Sequence, residues 1–164
     1  MTSHNGHDNI RVLIADDDEH ILEAYREAFS EPESTREMQA LDALAAELFD
    51  PETDIEEQPH FEVVSCTQGD DAISLARQAA DRGEPFDVVI LDVRMPPGID
   101  GVEAGSRIRE LDPDVEIVFV TGFSDVRLEE LQRRVPPTMK LHYFNKPLSF
   151  TQLAQDVASL VRSN

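Results

Sequence analysis

Residues 88–96 read Val-Val-Ile-Leu-Asp-Val-Arg-Met-Pro, and this stretch decides the fold class. Its first four residues predict a short strand that is apolar on both faces, which is typical of a parallel sheet covered by helices on each side. An acidic residue, Asp92, follows this run directly. In open α/β sheets the functional site forms outside the carboxyl ends of the strands. We therefore expect a buried parallel strand that presents Asp92 at that edge.

The alternation of a strand with a helical segment is repeated five times along the chain. Four further strands are predicted, at residues 10–15, 61–66, 115–120 and 141–144. Apolar residues at helical spacing follow each strand, and Asp18 and Ser124 are candidate N-caps for two of the helices. Five β-α units in a chain of 164 residues predict one domain, an α/β fold with a doubly wound parallel sheet.

The segment between the first helix and the second strand breaks this alternation. Ser34 and Glu37 fit a capping box, and the Asp50-Pro51 pair ends the segment. Between these signals an apolar stripe recurs at helical spacing, formed by Met38, Leu41, Leu44, Ala45 and Leu48. We predict a disordered N-terminal segment at residues 1–9, and a single domain over residues 10–164 with an acidic helical insertion at about residues 31–60.

The charge of the chain excludes several classes of partner. Asp and Glu number 34 against 14 Lys and Arg, which gives a formal net charge of −20. Such a chain repels polyphosphate, so we expect no direct nucleic-acid binding through this domain and no binding to anionic membranes. Cys66 is the single cysteine, so no internal disulfide is possible. No secretory signal stands at the start of the chain, and we expect a cytoplasmic location.

Charged and hydroxyl side chains stand at four of the predicted strand ends: Asp16, Asp17, Asp18, Asp92, Thr121 and Lys146. Carboxylates that are packed together repel one another, and a hard divalent cation such as Mg²⁺ relieves this repulsion. Asp16, Asp17 and Asp92 carry three negative charges, which Mg²⁺ and Lys146 together neutralise. Such a site can accept a phosphoryl group, with Asp92 as the nucleophile.

These strand ends resemble those of receiver domains of two-component response regulators. The resemblance is carried by residues 12–18 (Val-Leu-Ile-Ala-Asp-Asp-Asp), 88–96, 100–101 (Asp-Gly), 118–122 (Val-Phe-Val-Thr-Gly) and 144–147 (Phe-Asn-Lys-Pro). All of them follow in order, and all but the Asp100-Gly101 pair stand at a strand end. We accordingly predict a (βα)5 flavodoxin-like fold with strand order 2-1-3-4-5.

The resemblance implies a phosphoacceptor switch. A sensor histidine kinase or a phosphotransfer protein would donate a phosphoryl group to Asp92. Asp17 and Asp92 would ligate Mg²⁺ directly, with Mn²⁺ as an alternative ion. Asp16 would ligate it through water, and the backbone carbonyl of Arg94 would be a further ligand. Such a domain hydrolyses its own phosphoryl group slowly and is not a metabolic enzyme.

The resemblance also implies how the signal is read out. Lys146 would hold a phosphoryl oxygen beside a cis Lys146-Pro147 bond, and Thr121 would swing in to hydrogen-bond the phosphoryl group. Tyr143 matches the aromatic switch position, which turns inward when Thr121 moves. The surface of helix 4, strand 5 and helix 5 would then change and transmit the signal.

Two features depart from the commonest receiver. The loop at residues 95–101 carries one more residue, which reshapes the rim beside Asp92. The insertion is the other departure: residues 31–57 hold ten acidic residues and one Arg, a net of −9. Residues 125–146 hold five basic and three acidic residues, a net of +2. This contrast suggests a homodimer in which the two segments pair.

Three rival functions fit the same fold class. A phosphorylation-independent docking module would be expected to lack an acidic ligand or the lysine, and neither is missing here. An aspartate-nucleophile phosphatase typically carries Asp-x-Asp, whereas this chain has Asp92-Val93-Arg94. A flavin carrier needs a phosphate-cradling loop after the first strand, where the acidic triplet would repel a phosphate.

Overall fold

A computed structural model describes residues 9–30, 40–41, 44–45, 48, 60–122 and 126–163. Its five strands form one parallel sheet in the order β2-β1-β3-β4-β5. The strands are β1 (Asn9–Ala15), β2 (His60–Cys66), β3 (Val88–Asp92), β4 (Glu116–Thr121) and β5 (Leu141–Asn145). The predicted fold class and strand order are therefore confirmed. Each strand begins and ends within one residue of its predicted bounds.

Helices cover both faces of the sheet. They are α1 (Glu19–Phe29), α2 (Gly69–Asp81), α3 (Gly101–Leu111), α4 (Leu128–Arg134) and α5 (Phe150–Arg162), with a short 3-10 turn at Thr138–Lys140. One core lies between the sheet and α1 with α5, and the other lies between the sheet and α2, α3 and α4. Successive residues of β1 alternate between these cores, with Val12 in the first and Leu13 in the second. This explains why the strands read as unbroken apolar runs. None of the helices in the described part of the chain is long and apolar enough to cross a membrane.

Side-chain caps fix the starts of three helices. Asp18 accepts a hydrogen bond from the backbone N–H of His20 at the start of α1, as predicted. Asp100 and Ser149 cap α3 and α5 in the same way. Ser124, predicted to cap the helix after β4, lies outside the described residues; the N-cap position of α4 is held by Arg127, which makes no side-chain cap hydrogen bond, and the helix begins at Leu128.

The described part of the insertion is helical at Ala40, Leu41, Leu44, Ala45 and Leu48. The three leucines are 58–71% exposed. The predicted capping box, Met38 and the Asp50-Pro51 end lie outside the described residues, as do residues 1–8 of the predicted N-terminal segment. The insertion leaves from the end of α1 and returns at the start of β2, where the rings of Phe29 and Phe61 lie 4.8 Å apart.

A buried arginine ties the amino ends of β4 and β5 to α3. The guanidinium of Arg109 donates hydrogen bonds to the backbone carbonyls of Pro113, Val115 and Lys140. Arg109 is 6% exposed, and the buried carboxylate of Glu116 contributes a favourable charge nearby. Three carbonyls, two just before β4 and one just before β5, thus depend on one side chain.

We predict that Arg109→Met lowers the free energy of unfolding by about 2–4 kcal/mol. Hydrogen bonds from a charged donor are worth roughly 1.5–3 kcal/mol each, and the variant loses them. Part of this loss is offset because the methionine no longer buries a charge. Urea denaturation would measure the change. Arg107→Met on the same helix is the matched control, since the ion pair of Arg107 with Glu103 is largely exposed and is worth about 0.5 kcal/mol or less. Equal losses in both variants would contradict the assignment.

Candidate functional site

Three carboxylates meet at the carboxyl ends of β1 and β3. Asp16 follows β1 directly and Asp92 is the last residue of β3, and the two strands are neighbours with Ala15 opposite Leu91. Oxygen atoms of Asp16, Asp17 and Asp92 all lie within 4.8 Å of one another. Asp16 and Asp92 are buried, whereas Asp17 is exposed. The acidic pocket is therefore closed to solvent at Asp16 and Asp92 and open to solvent at Asp17.

Lys146 comes to this pocket from the end of β5, two strands away from Asp92 in the sheet. Its Nζ lies 3.3 Å from Asp16 Oδ2 and 3.2 Å from Asp92 Oδ2. The backbone N–H of Lys146 donates to the carbonyl of Thr121 at 2.7 Å, which ties the lysine to the end of β4. The Lys146–Pro147 bond is cis, as the resemblance implies. One ammonium thus bridges the two buried carboxylates.

The backbone holds the other oxygen of each bridged carboxylate. The N–H of Asp18 donates to Asp16 Oδ1 at 2.9 Å, and the N–H of Arg94 donates to Asp92 Oδ1 at 3.2 Å. In both cases the donor stands two residues after the acid. Asp16 and Asp92 are therefore oriented alike, with Oδ1 toward the chain and Oδ2 toward Lys146.

The electrostatics of the pocket follow from burial and from its neighbouring charges. Burial, together with the charge of Asp92, raises the pKa of Asp16 to about 6, against the lowering effects of the Asp18 N–H and Lys146. Burial lowers the pKa of the Lys146 ammonium, but the charges of Asp16 and Asp92 outweigh this and raise it above its ordinary value. Lys146 is therefore fully charged at neutral pH.

The donor set fits a hard divalent cation. Three carboxylates within 4.8 Å of one another supply oxygen ligands, and a pocket that is open at Asp17 leaves room for water. Mg²⁺ prefers a few carboxylates together with water. Burial is the main cause of the raised pKa of Asp16, and repulsion from Asp92 adds to it; a bound cation would offset that repulsion.

The two predicted switch residues lie on adjacent strands. Thr121 ends β4, is buried, and stands opposite Asn145 in the register of β4 and β5. Tyr143 stands opposite Phe119 and packs against the core on the α2, α3 and α4 side. Because residues two apart in a strand share a face, Thr121 and Tyr143 lie on the same face of the sheet. The structure thus places Thr121 at the edge of the pocket. Tyr143 lies two residues before the residue that pairs with Thr121, and so further from the pocket.

Gly101, part of the Asp100-Gly101 pair, has a role at the site that the sequence did not predict. The N–H of Gly101 donates to the carbonyl of Val93 at 2.8 Å, and a Cβ placed on Gly101 would lie 1.9 Å from the carbonyl oxygen of Asp92. Only glycine lets the start of α3 approach the backbone of Asp92 so closely. The sequence shows the Asp100-Gly101 pair, but only the structure shows the close contact of Gly101 with the backbone of Asp92.

A family model described as the response regulator receiver domain matches residues 52–158. The chain belongs to this family, the receiver domains of two-component systems, whose members act as phosphoacceptors in signalling and bind Mg²⁺ at an acidic pocket. The matched residues begin within the insertion, at residue 52, and leave out β1, Asp16 and Asp17. The pairing of β1 with β3 nevertheless places Asp16 and Asp17 beside Asp92.

Curated relatives match parts of the chain. The response regulator receiver protein CpdR of Brucella abortus is 33% identical over 78 residues, which cover 48% of this chain and 62% of that protein. The sensor kinase CckA of the same organism is 28% identical over 101 residues, which cover 62% of this chain and 10% of the kinase. The matched region therefore spans less than two thirds of either relative.

Solved structures share the fold. A response regulator receiver protein from Sinorhizobium medicae superposes with a TM-score of 0.62 at 22% identity, covering 95% of this chain and 97% of that one. The response regulator protein TrrA from Thermotoga maritima, solved in complex with Mg(2+)-BeF, has a TM-score of 0.55 at 23% identity, covering 92% of this chain and 98% of that one. At this level of identity the likeness establishes the fold.

We predict that Asp16 makes the metal-free protein less stable as the pH rises from about 4 to about 6. Its pKa is about 6 in the folded chain against an ordinary value of 3.8, so the folded state binds the extra proton in this window and loses stability as that proton leaves. Thermal unfolding in chelator, compared with Asp16→Asn, would measure this. The variant should gain stability relative to wild type at pH 7.5 more than at pH 4. A difference that does not change with pH would contradict the prediction.

Proposed function

We propose that this chain is the phosphoacceptor switch of a two-component system. It receives a phosphoryl group on Asp92 from a sensor histidine kinase or a phosphotransfer protein, in a reaction that depends on Mg²⁺. The observation that carries this proposal is the Lys146 ammonium, which lies within 3.3 Å of both Asp16 and Asp92 at the mouth of three converging strands. A lysine that only stabilised the fold would need one carboxylate partner, whereas Lys146 pairs with two buried ones.

Four groups of the chain would hold the metal. Asp17 and Asp92 would be direct ligands, Asp16 would bind through water, and the backbone carbonyl of Arg94 would complete the protein's contribution; Mn²⁺ suits the same donors. The bound ion supplies positive charge that offsets the charge developing on the transferring phosphoryl oxygens. The exposed position of Asp17 and the buried position of Asp16 support this division.

Asp92 is the proposed nucleophile. A carboxylate oxygen of Asp92 attacks the phosphorus of the donor, the bond from phosphorus to the donor's histidine nitrogen breaks, and the imidazole leaves with its electron pair and takes up a proton. The Arg94 N–H fixes Oδ1 of Asp92, and Lys146 sits at Oδ2. Lys146 then pairs with an oxygen of the new phosphoryl group in place of a carboxylate oxygen.

The proposed readout moves outward from the pocket through Thr121 and Tyr143. Thr121 hydrogen-bonds the phosphoryl group, and Tyr143 turns inward into the space that this opens. The surface formed by α4, β5 and α5 then changes its shape. Two observations support this route: both side chains lie on the same face of adjacent strands, and Tyr143 packs against the core layer that contains α4.

Two rival functions are weaker for this site. A phosphatase with an aspartate nucleophile would place a second carboxylate at the position of Arg94. A docking module that works without phosphorylation would have no use for a charged bridge between two buried acids. We therefore propose a signalling phosphoacceptor with slow self-dephosphorylation and not a metabolic enzyme. A kinase partner in the cytoplasm is part of the same proposal, and the match to a region of the sensor kinase CckA supports the kinase partnership.

We predict that the wild-type chain gains a single phosphoryl group on incubation with acetyl phosphate and Mg²⁺, as measured by intact mass. Asp92→Asn should gain none, because the amide cannot act as the nucleophile. Chelator should abolish the adduct on wild type. Asp87→Asn, an acid at the opposite edge of the sheet beside Arg11, is the control and should react like wild type. An adduct on Asp92→Asn, or its absence from wild type, would contradict the proposal.

We also propose that the acidic insertion pairs with the α4 and β5 segment of a second copy. The exposed large hydrophobic residues of the described chain fall into these two segments alone: Leu41, Leu44 and Leu48 in one, Leu128 and Met139 in the other. The insertion carries a net charge of −9 over residues 31–57, against +2 over residues 125–146. Opposite charge and exposed apolar surface on both sides favour an interface.

We predict that Arg133→Glu weakens self-association measured by sedimentation velocity at low ionic strength. Arg77→Glu is the matched control, because Arg77 is an equally exposed arginine on α2 and the change in net charge is the same. Added salt should weaken the wild-type dimer, since the contact is partly electrostatic. A monomeric wild type at every concentration, or equal effects of both variants, would rule out this interface.

A further inference from the structure

The side chain of Gln68 clamps the loop that follows the phosphoacceptor. Gln68 stands between β2 and α2 and reaches across to residues 96–98. Its Nε2 donates to the carbonyl of Pro96 at 3.2 Å, and its Oε1 accepts from the N–H of Gly98 at 3.1 Å. Both ends of one carboxamide are thus used on two backbone groups of the same turn, 28 and 30 residues away in sequence.

The clamp acts on the exposed part of a loop whose two ends are held by packing. Met95 is 1% exposed, and Ile99 packs so tightly over the start of α2 that a Cβ on Gly69 would lie 2.8 Å from Ile99 Cγ1. Between these anchors Pro96, Pro97 and Gly98 are exposed. These exposed residues are the part of the loop that packing alone leaves least defined.

The clamped turn continues directly from Arg94. The N–H of Arg94 binds Asp92 Oδ1, and its carbonyl is a proposed metal ligand. The carbonyl held by Gln68 belongs to Pro96, two residues further along the same loop. A loop that is fixed at Asp92 on one side and at Gln68 on the other has little freedom to turn the intervening carbonyl away from the pocket.

We propose that Gln68 is a positioning residue for metal binding: by clamping the loop at Pro96 and Gly98, it aims the Arg94 carbonyl into the acidic pocket. This inference rests on the proposed function, since it takes the Arg94 carbonyl as a ligand. Gln68 does not touch the metal or the phosphoryl group. Groups that orient ligands in this way commonly change metal affinity by 10- to 100-fold.

The chemistry of the clamp requires an amide. The Gln68 side chain must donate to a carbonyl and accept from an N–H at once, which a glutamate or a leucine cannot do. Gly98 is matched to it, because a Cβ on Gly98 would lie 2.5 Å from Gln68 Oε1. Gly98→Ala should therefore open the clamp from the other side while leaving Gln68 in place.

The test compares Gln68→Leu, Gln68→Glu and Gly98→Ala with wild type. Mg²⁺ binding would be measured by isothermal titration calorimetry, and phosphorylation by acetyl phosphate would be followed by intact mass as a function of Mg²⁺ concentration. We expect Mg²⁺ to bind roughly tenfold more weakly in Gln68→Leu and Gln68→Glu, at the lower end of the range for orienting groups. The phosphorylation rate at saturating Mg²⁺ should not change. Gln78→Leu, at an exposed glutamine of α2, is the control and should match wild type in both measurements.

Two further readouts separate positioning from a general loss of structure. The Gly98 N–H should exchange with solvent faster in Gln68→Leu, while the thermal midpoint stays near that of wild type. The double variant Gln68→Leu/Gly98→Ala should bind Mg²⁺ no more weakly than either single variant, because both changes remove the same clamp. Additive losses, or unchanged Mg²⁺ affinity in Gln68→Leu, would overturn the inference. Failure of wild type to accept a phosphoryl group would instead overturn the proposed function, and calorimetry would still decide the role of Gln68.

Discussion

The charge balance between two buried acids and one lysine is the constraint on which the site depends. Asp16 and Asp92 repel each other, and burial makes their ionised forms costly, as the raised pKa of Asp16 records. The Lys146 ammonium offsets this repulsion at 3.3 and 3.2 Å. The three residues come from three different strand ends, so the balance exists only when β1, β3 and β5 run parallel and end at one edge. The site therefore forms only when the sheet forms, and the same residues must satisfy both.

Most of this arrangement could be predicted from the sequence, because apolar runs mark the buried strands and the side chains just after them must meet at one edge. Asp18 was predictable as a cap for a similar local reason. The start of α4 was not: Ser124 has the chemistry of a cap, but α4 begins after Arg127, which makes no side-chain cap hydrogen bond. The contacts of Gln68 and Arg109 were also beyond the sequence, since each joins segments about thirty residues apart whose approach depends on the loops between them.

The place of the insertion explains why it leaves the site intact. α1 begins beside the acidic pocket, and its far end lies beside the start of β2, where Phe29 meets Phe61. The insertion therefore departs and returns at the edge of the sheet opposite Asp92. Its two ends are already close, so the entropic cost of closing a longer connection grows only slowly with its length. The family match begins at residue 52, within the insertion, yet β1 pairs in parallel with both β2 and β3.

The paired hold on Asp92 has a consequence for the kinetics of phosphoryl transfer. The Arg94 N–H holds one oxygen of this carboxylate and Lys146 holds the other, so its side-chain torsions are fixed before any donor arrives. Folding has already removed the rotamer freedom that a flexible nucleophile would lose on reaching its reactive orientation. The activation entropy of the reaction therefore reflects mainly the loss of the donor's own translation and rotation, and donors of different size should differ in how much of that freedom they lose on docking.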